Sequence, residues 1–206
     1  MTILAEAPAA IMQMAAQFAH TDFFKEGLCG IHLQSIANGM RIAATNGHFA
    51  FRCIVPFSDH CYIAQEQLLV PAAAFKKKVA YSKKVSILDG EARFCGGKKD
   101  TMTLLEARPL APSCPTEKWT FPSHFDTLWP ALETLDNEPG GFIAFNPEYM
   151  RTICDVVAKC PDAGRLQLYT SNNTTSPMVL TATACETALD ELLLEFLLLP
   201  LAVRRD

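Results

Sequence analysis

Cysteine and histidine carry most of the chemistry this chain could perform. There are eight cysteines, Cys29, Cys53, Cys61, Cys95, Cys114, Cys154, Cys160 and Cys185, and two histidines, His32 and His60, stand close to two of them. A thiolate beside an imidazole can act as a nucleophile, and the same groups can hold zinc. No two cysteines are spaced C-x-x-C, and His60-Cys61 is adjacency in sequence, not a dyad. The chain has no G-x-S-x-G, no phosphate-binding glycine loop and no H-E-x-x-H. Most of the cysteines lie in apolar runs, where a reduced thiol behaves as a small hydrophobe. The expectation is a protein without catalytic residues, metal or cofactor. A distant alternative is an α+β enzyme with a cysteine nucleophile.

The second source of chemistry is positive charge. Lys76, Lys77 and Lys78 form a run, Lys83 and Lys84 follow, and Arg151 and Lys159 lie further on. Such cations can meet phosphates, or they can form an ordinary solvated face. The formal net charge is −4 over 206 residues, which speaks against a dedicated basic nucleic-acid binder but not against a local patch. Half the residues are apolar and 19% are charged, so the chain folds, with room for one or two small domains. The N-terminal M-T-I-L-A-E-A-P has no basic n-region and does not read as a secretory signal. The apolar stretch near the C-terminus is broken by Glu195 and Pro200 and falls short of the roughly 20 residues of a membrane helix. These features predict a cytoplasmic protein with reduced thiols and no membrane partner.

The elements that must position these residues read as one unit repeated three times: a short strand, a proline, a helix, then three strands. The first opens with Thr2-Ile3-Leu4, and Pro8 starts a helix to about His20. Ile11, Met14, Ala15 and Phe18 have the helical spacing of a core-facing stripe, with Gln13, Gln17 and His20 opposite. Strands are predicted near Leu28 to Ile36, Met40 to Ala44 and Phe49 to Pro56, with turns at Asn38-Gly39 and Asn46-Gly47. The second unit has a strand at Leu68 to Val70, and Pro71 opens a short helix with Phe75 and Val79 on one face. Its strands are Lys84 to Leu88, Glu91 to Cys95 and about Thr101 to Ala107, and Asp89-Gly90 makes a hairpin turn. The third has a strand at Phe142 to Phe145, then Asn146 as N-cap and Pro147 as first helical residue. Met150, Ile153, Cys154 and Val157 form its expected apolar stripe, and Arg151 can pair with Asp155 one turn on. Its strands run near Leu166 to Thr170, Pro177 to Thr183 and Leu192 to Leu199. The proline-rich Pro109 to Gly141 stretch, with Trp119 and Trp129, reads as a linker.

Four segments, in order, resemble the bacterial DNA sliding clamp, the DNA polymerase III beta subunit family, in shortened form. They are A-A-T-N-G-H-F-A at Ala43 to Ala50, Phe121-Pro122, F-N-P-E-Y at Phe145 to Tyr149, and L-L-L-E-F-L-L-L-P-L-A-V at Leu192 to Val203. The resemblance implies an α+β clamp-like fold of repeated helix-plus-three-strand units with antiparallel sheets. It implies a complete two-unit domain over 1–115, a linker over 116–141 and a half domain over 142–206. The chain also departs from the family. Asn46 stands where the family usually has Asp, and Phe49 where it usually has Arg. Leu201-Ala202-Val203 and Arg204-Arg205-Asp206 extend past Pro200.

What the resemblance implies about function is docking, not catalysis. It implies a processivity factor that tethers a DNA polymerase or other replication proteins to DNA through an apolar peptide groove, with a clamp loader as a further partner. The groove residues would be Leu28, the turn residues Thr45, Gly47 and His48, Pro122 and Leu128 of the linker, and Leu197, Leu199, Pro200 and Leu201 at the last strand. Each leucine taken alone reads as ordinary core, and it is their joint occurrence that points to a groove. The DNA-facing residues would be Lys76, Lys77, Lys78, Arg151 and Lys159, meeting double-stranded DNA without sequence preference. A ring of twelve such units would need four copies of a three-unit chain, and an unpaired half domain exposes a sheet edge, so a homo-oligomer is expected. The alternative is a monomeric adaptor that binds a replication protein without encircling DNA.

Overall fold

The computed structural model describes residues 2–21, 27–76, 83–96, 101–104, 125, 145–159, 166–169, 177–185 and 191–199. The chain divides into two compact units: Met1–Asn46 with Arg52–Pro122, and Gly47–Phe51 with Ser123–Asp206.

In the first unit, β1 (Ile3–Pro8) leads into α1 (Ala9–Ala16), then β2 (Gly30–Ile36) and β3 (Gly39–Thr45); of β4 (Phe49–Val55), the residues from Arg52 belong to this unit and the first three to the second. A very short strand without a counterpart among the sequence expectations, β5 (Tyr62–Ile63), precedes β6 (Gln67–Pro71). The short helix α2 (Ala73–Lys76), β7 (Lys84–Leu88), β8 (Glu91–Cys95) and β9 (Thr101–Leu104) complete it. One sheet has the order β5-β1-β7-β8-β9 and is antiparallel at every junction. In the other, β2 pairs antiparallel with β3 on one side and β6 on the other.

The leading strands are therefore exchanged. β1 precedes the first helix but joins the β7–β8–β9 sheet, where Ala5 faces Ile87. β6 precedes the second helix but joins β2, where Ile31 faces Val70. Each sheet needs a strand from the other repeat, so neither repeat closes its core alone. The core of this unit includes Ile11, Met12, Phe18, Ile31, Leu33, Ile42, Phe75, Val85 and Phe94, all 1% exposed or less. Burying side chains of this size stabilises the fold by about 1.5–3 kcal/mol each, before conformational entropy is counted.

Several sequence expectations shift here. Pro8 ends β1 opposite Lys84, at the cap position, and does not begin the helix. The helix stops at Ala16, four residues short of His20, and turns follow. Met12 is buried in place of Met14, which lies with Gln13 and Gln17 on the outer side. Leu28 is not in a strand; it sits in a single helical turn before β2, and its carbonyl accepts from the His20 N–H at 2.8 Å. Gly39 is required by close approach, since a Cβ there would lie 2.3 Å from the Val55 carbonyl oxygen.

The second unit carries α3 (Pro147–Val157), β10 (Gln167–Tyr169), β11 (Met178–Cys185) and β12 (Glu191–Leu198). The strands pair antiparallel in the order β10-β11-β12, with Leu168 facing Leu180 and Leu180 facing Phe196. Asn146 caps α3 as expected: its side-chain oxygen accepts from the Glu148 N–H at 3.0 Å, and Pro147 follows. The stripe of α3 is rotated from the expected one. Ile153 and Val156 are buried and Tyr149 is half-buried, a 149, 153, 156 spacing, while Cys154 is exposed. Arg151 pairs with Glu148 at 2.6 Å, one turn before it, and not with Asp155. The expected strand at Phe142 to Phe145 lies outside the described residues except for Phe145.

Candidate functional site

The second unit gathers part of the expected groove around one turn. Gly47 has a φ of +90°, a conformation L side chains rarely adopt, and this lets the chain reverse before β4. His48 is exposed on that turn. Its carbonyl accepts the Leu199 N–H at 3.0 Å, which fixes the end of β12 against the turn. Leu199 is half-buried, and Leu197, two residues back on the same strand face, is 2% exposed and faces Val179.

Aromatic rings pack beside this turn. The His48 and Tyr149 rings stack with centroids 6.0 Å apart and planes 14° apart. Phe49, 5% exposed, stacks on Tyr149 at 4.6 Å and 9°. Phe51 tilts against Phe196 at 5.7 Å. Tyr149 stacks on both the His48 and Phe49 rings and is not among the groove residues expected from the sequence. Its signal in the sequence is its place one turn before Ile153 on the stripe, obscured when Met150 is given that place. Phe49 stands where the resemblance leads one to expect a cation, so this position offers an aromatic face instead of a guanidinium.

Of the remaining groove residues, Leu28 and Thr45 belong to the first unit, Leu28 half-buried and Thr45 7% exposed at the end of β3. Pro122, Leu128, Pro200 and Leu201 lie outside the described residues. Exposed His48 and half-buried Tyr149 and Leu199 offer apolar and aromatic surface, suited to holding an apolar side chain, while Leu197 is buried beneath the surface.

Of the expected DNA-facing residues, Lys76, Arg151 and Lys159 are among the described residues. Lys76 is half-buried, and its Nζ donates to the Ala19 carbonyl at 3.3 Å, at the end of the turns that follow α1. Burial lowers the pKa of its amine, while the neighbouring Cys29 acts to raise it. Arg151 is exposed but engaged with Glu148. Lys159 is exposed and lies in the turn after α3, not on the helix. α1 itself, AAIMQMAA, has no charged residue. Lys77 and Lys78 lie outside the described residues.

Among the described residues no three His, Cys, Asp or Glu side chains come together as metal ligands would. Cys61 is buried and desolvation pushes its thiol up to about 12, and Cys53 is also buried. Among the described residues no helix is long and apolar enough to cross a membrane.

Exchanged leading strands, repeated helix-plus-strand units and antiparallel sheets define an α+β clamp fold. Solved structures show whose fold it is. The DNA polymerase III beta chain of Streptococcus pneumoniae superposes with a TM-score of 0.62 at 12% identity, covering 98% of this chain and 66% of its own. The DNA polymerase III beta subunit of Borrelia burgdorferi gives 0.60 at 13%, covering 97% of this chain and 62% of its own. The DNA polymerase sliding clamp of Caulobacter crescentus gives 0.60 at 13%, covering 97% and 65%. The fold is thus that of the bacterial DNA sliding clamps, and this chain spans just under two thirds of the length of each of these three. No family model matches the sequence, and no curated protein matches it.

Proposed function

We propose that this chain is a clamp-like replication factor that docks a short apolar peptide of a DNA polymerase or another replication protein. The observation that carries the reading is the His48–Leu199 hydrogen bond beside the His48–Tyr149–Phe49 stack. It unites three of the four segments that resemble the clamp family, in a chain whose fold matches a solved clamp over 98% of its length. The docking residues are Leu28, Thr45, Gly47, His48, Pro122, Leu128, Leu197, Leu199, Pro200 and Leu201. The protein acts without catalysis, in the cytoplasm, with a clamp loader as a second partner. It self-associates and surrounds double-stranded DNA, which Lys76, Lys77, Lys78, Arg151 and Lys159 face without reading its sequence.

A second reading is a monomeric adaptor that holds a replication protein without encircling DNA. It is favoured by the engagement of Lys76 with Ala19 and of Arg151 with Glu148, and by the absence of charge on α1. Two measurements separate the readings. Light scattering at micromolar concentration should give a multiple of the 22.7 kDa chain mass for a ring component and that mass itself for the adaptor. Retention on nicked circular DNA that disappears when the circle is cut belongs only to a closed ring.

A further inference from the structure

Asn38 and Asn46 both precede a glycine, and the structure holds the two pairs differently. Asparagine is thermally labile. The backbone nitrogen of the next residue can attack the side-chain amide carbon, and a following glycine, with no Cβ, leaves that nitrogen unshielded. Asn38-Gly39 closes the β2–β3 hairpin. Gly39 is buried and already lies in β3 opposite Ile36, so tightly packed that a Cβ would lie 2.3 Å from the Val55 carbonyl oxygen. Asn46-Gly47 lies between β3 and β4, outside both strands, with Gly47 and His48 exposed and Asn46 half-buried. Gly47 has a φ of +90°, so the turn itself demands the residue that leaves the nitrogen open. A third asparagine, Asn146, precedes Pro147, whose nitrogen has no hydrogen to lose.

We propose that Asn46 is a self-modifying site, closing onto the Gly47 nitrogen and opening with water to an aspartyl or isoaspartyl residue, and that the isoaspartyl product releases the end of β12 from the turn. In the first step the Gly47 backbone nitrogen, having given its proton to solvent, attacks the Asn46 side-chain carbonyl carbon. A new C–N bond closes a five-membered imide, the C–N bond of the side-chain amide breaks, and its nitrogen takes up a proton and leaves as ammonia. In the second step water adds to one of the two ring carbonyls. That carbon's bond to the ring nitrogen breaks, the nitrogen regains its proton, and a carboxyl group remains. The net change is amide plus water to carboxylic acid plus ammonia, and no electrons change hands. Either opening puts a negative charge where a neutral amide stood. Opening at the backbone carbonyl also routes the main chain through the former side chain and lengthens it by one atom, about 1.5 Å. Two residues on, the His48 carbonyl accepts the Leu199 N–H at 3.0 Å, and a bond at that distance does not tolerate such a displacement.

The test ages the full chain in warm, mildly alkaline buffer, native and in guanidinium chloride. Peptide mass spectrometry with electron-transfer fragmentation follows Asn38, Asn46 and Asn146 and separates aspartyl from isoaspartyl products. In the native protein Asn46 should convert at least about tenfold faster than Asn38, because the Gly39 nitrogen is held in a strand away from the attacking geometry. Asn146 should stay unchanged, and in denaturant Asn38 should rise to the rate of Asn46. Equal native rates at Asn38 and Asn46 would overturn the site. So would an Asn46 that stays intact in the native protein over the time in which it converts in denaturant. Release of the strand is read by hydrogen exchange at the Leu199 amide. It should be at least about fivefold faster in isoaspartyl protein, the loss of one hydrogen bond, and unchanged in Asn46→Gln aged beside it, whose longer side chain closes a ring far more slowly. Unchanged Leu199 exchange in protein that is isoaspartyl at position 46 would overturn the release. Neither readout depends on peptide docking.

Discussion

The Leu199 N–H donates to the His48 carbonyl at 3.0 Å, and so the last strand is tied to a turn made by a glycine with a φ of +90°. The bond holds in register two segments separated by most of the chain. Gly47→Val should strain that turn and cost about 1–3 kcal/mol of stability. Urea unfolding of the variant beside the wild type measures it, and an unchanged midpoint would show that the turn tolerates a side chain.

Lys76 and the other lysines should separate in DNA binding. Any affinity should be weak, indifferent to sequence and steeply reduced by salt. Changing Lys76, Lys77 and Lys78 together to Ala should reduce the slope of log affinity against log salt by roughly 0.9 for each phosphate that is no longer neutralised. Lys76→Ala alone should have the smallest effect of the three, because its ammonium is held by Ala19. A sequence-specific footprint at moderate salt would contradict this reading.

Glu6 gives the fold a pH dependence. Burial acts to raise its pKa, but hydrogen bonds from Ser86 at 2.6 Å and Lys84 at 3.0 Å, and the charge of Lys84, outweigh it and hold it below 4.5. A depressed folded-state pKa contributes stability that is complete above the unfolded value near 4.5 and lost as pH falls through the folded one. Glu6→Gln should therefore be less stable than wild type at neutral pH, and the gap should close as pH falls below 4.5. Thermal melts along an acid series follow it. A gap independent of pH would assign the loss to packing.

Thiol reactivity should follow burial. Cys154, exposed on α3, should alkylate fast, and Cys53 and Cys61 only on unfolding. Counting labelled sites by mass spectrometry before and after adding urea checks this. Peptide binding that survives full labelling of the exposed thiols would dispose of a cysteine nucleophile as the source of function.

Local chemistry makes parts of this fold legible. Asp89-Gly90 and the alternation around it set the β7–β8 hairpin to the residue, and Asn146-Pro147 set the start of α3. What stays hidden depends on distant partners. The exchange of β1 and β6 is a choice of neighbour across tens of residues, and no periodicity encodes it. The first stripe comes out of periodicity at Ile11, Ala15 and Phe18, with Met12 buried in place of Met14, while that of α3 is displaced to Val156 from Val157, because each such pair is equally apolar. Lys76 reads as a solvated cation in a lysine run, and only its long-range hydrogen bond to Ala19 identifies its structural role. The sequence points to His48 and Leu199 through resemblance, whereas Tyr149 emerges from the stacking geometry.

The docking reading is tested most directly by titrating a fluorescent peptide carrying the short apolar clamp-binding motif into the wild type and Leu199→Glu. Saturable binding is expected to the wild type, weakened by more than about 1.4 kcal/mol, a tenfold loss, in a variant that melts like the wild type. Equal affinity for the two folded proteins, or no binding to either, would contradict it.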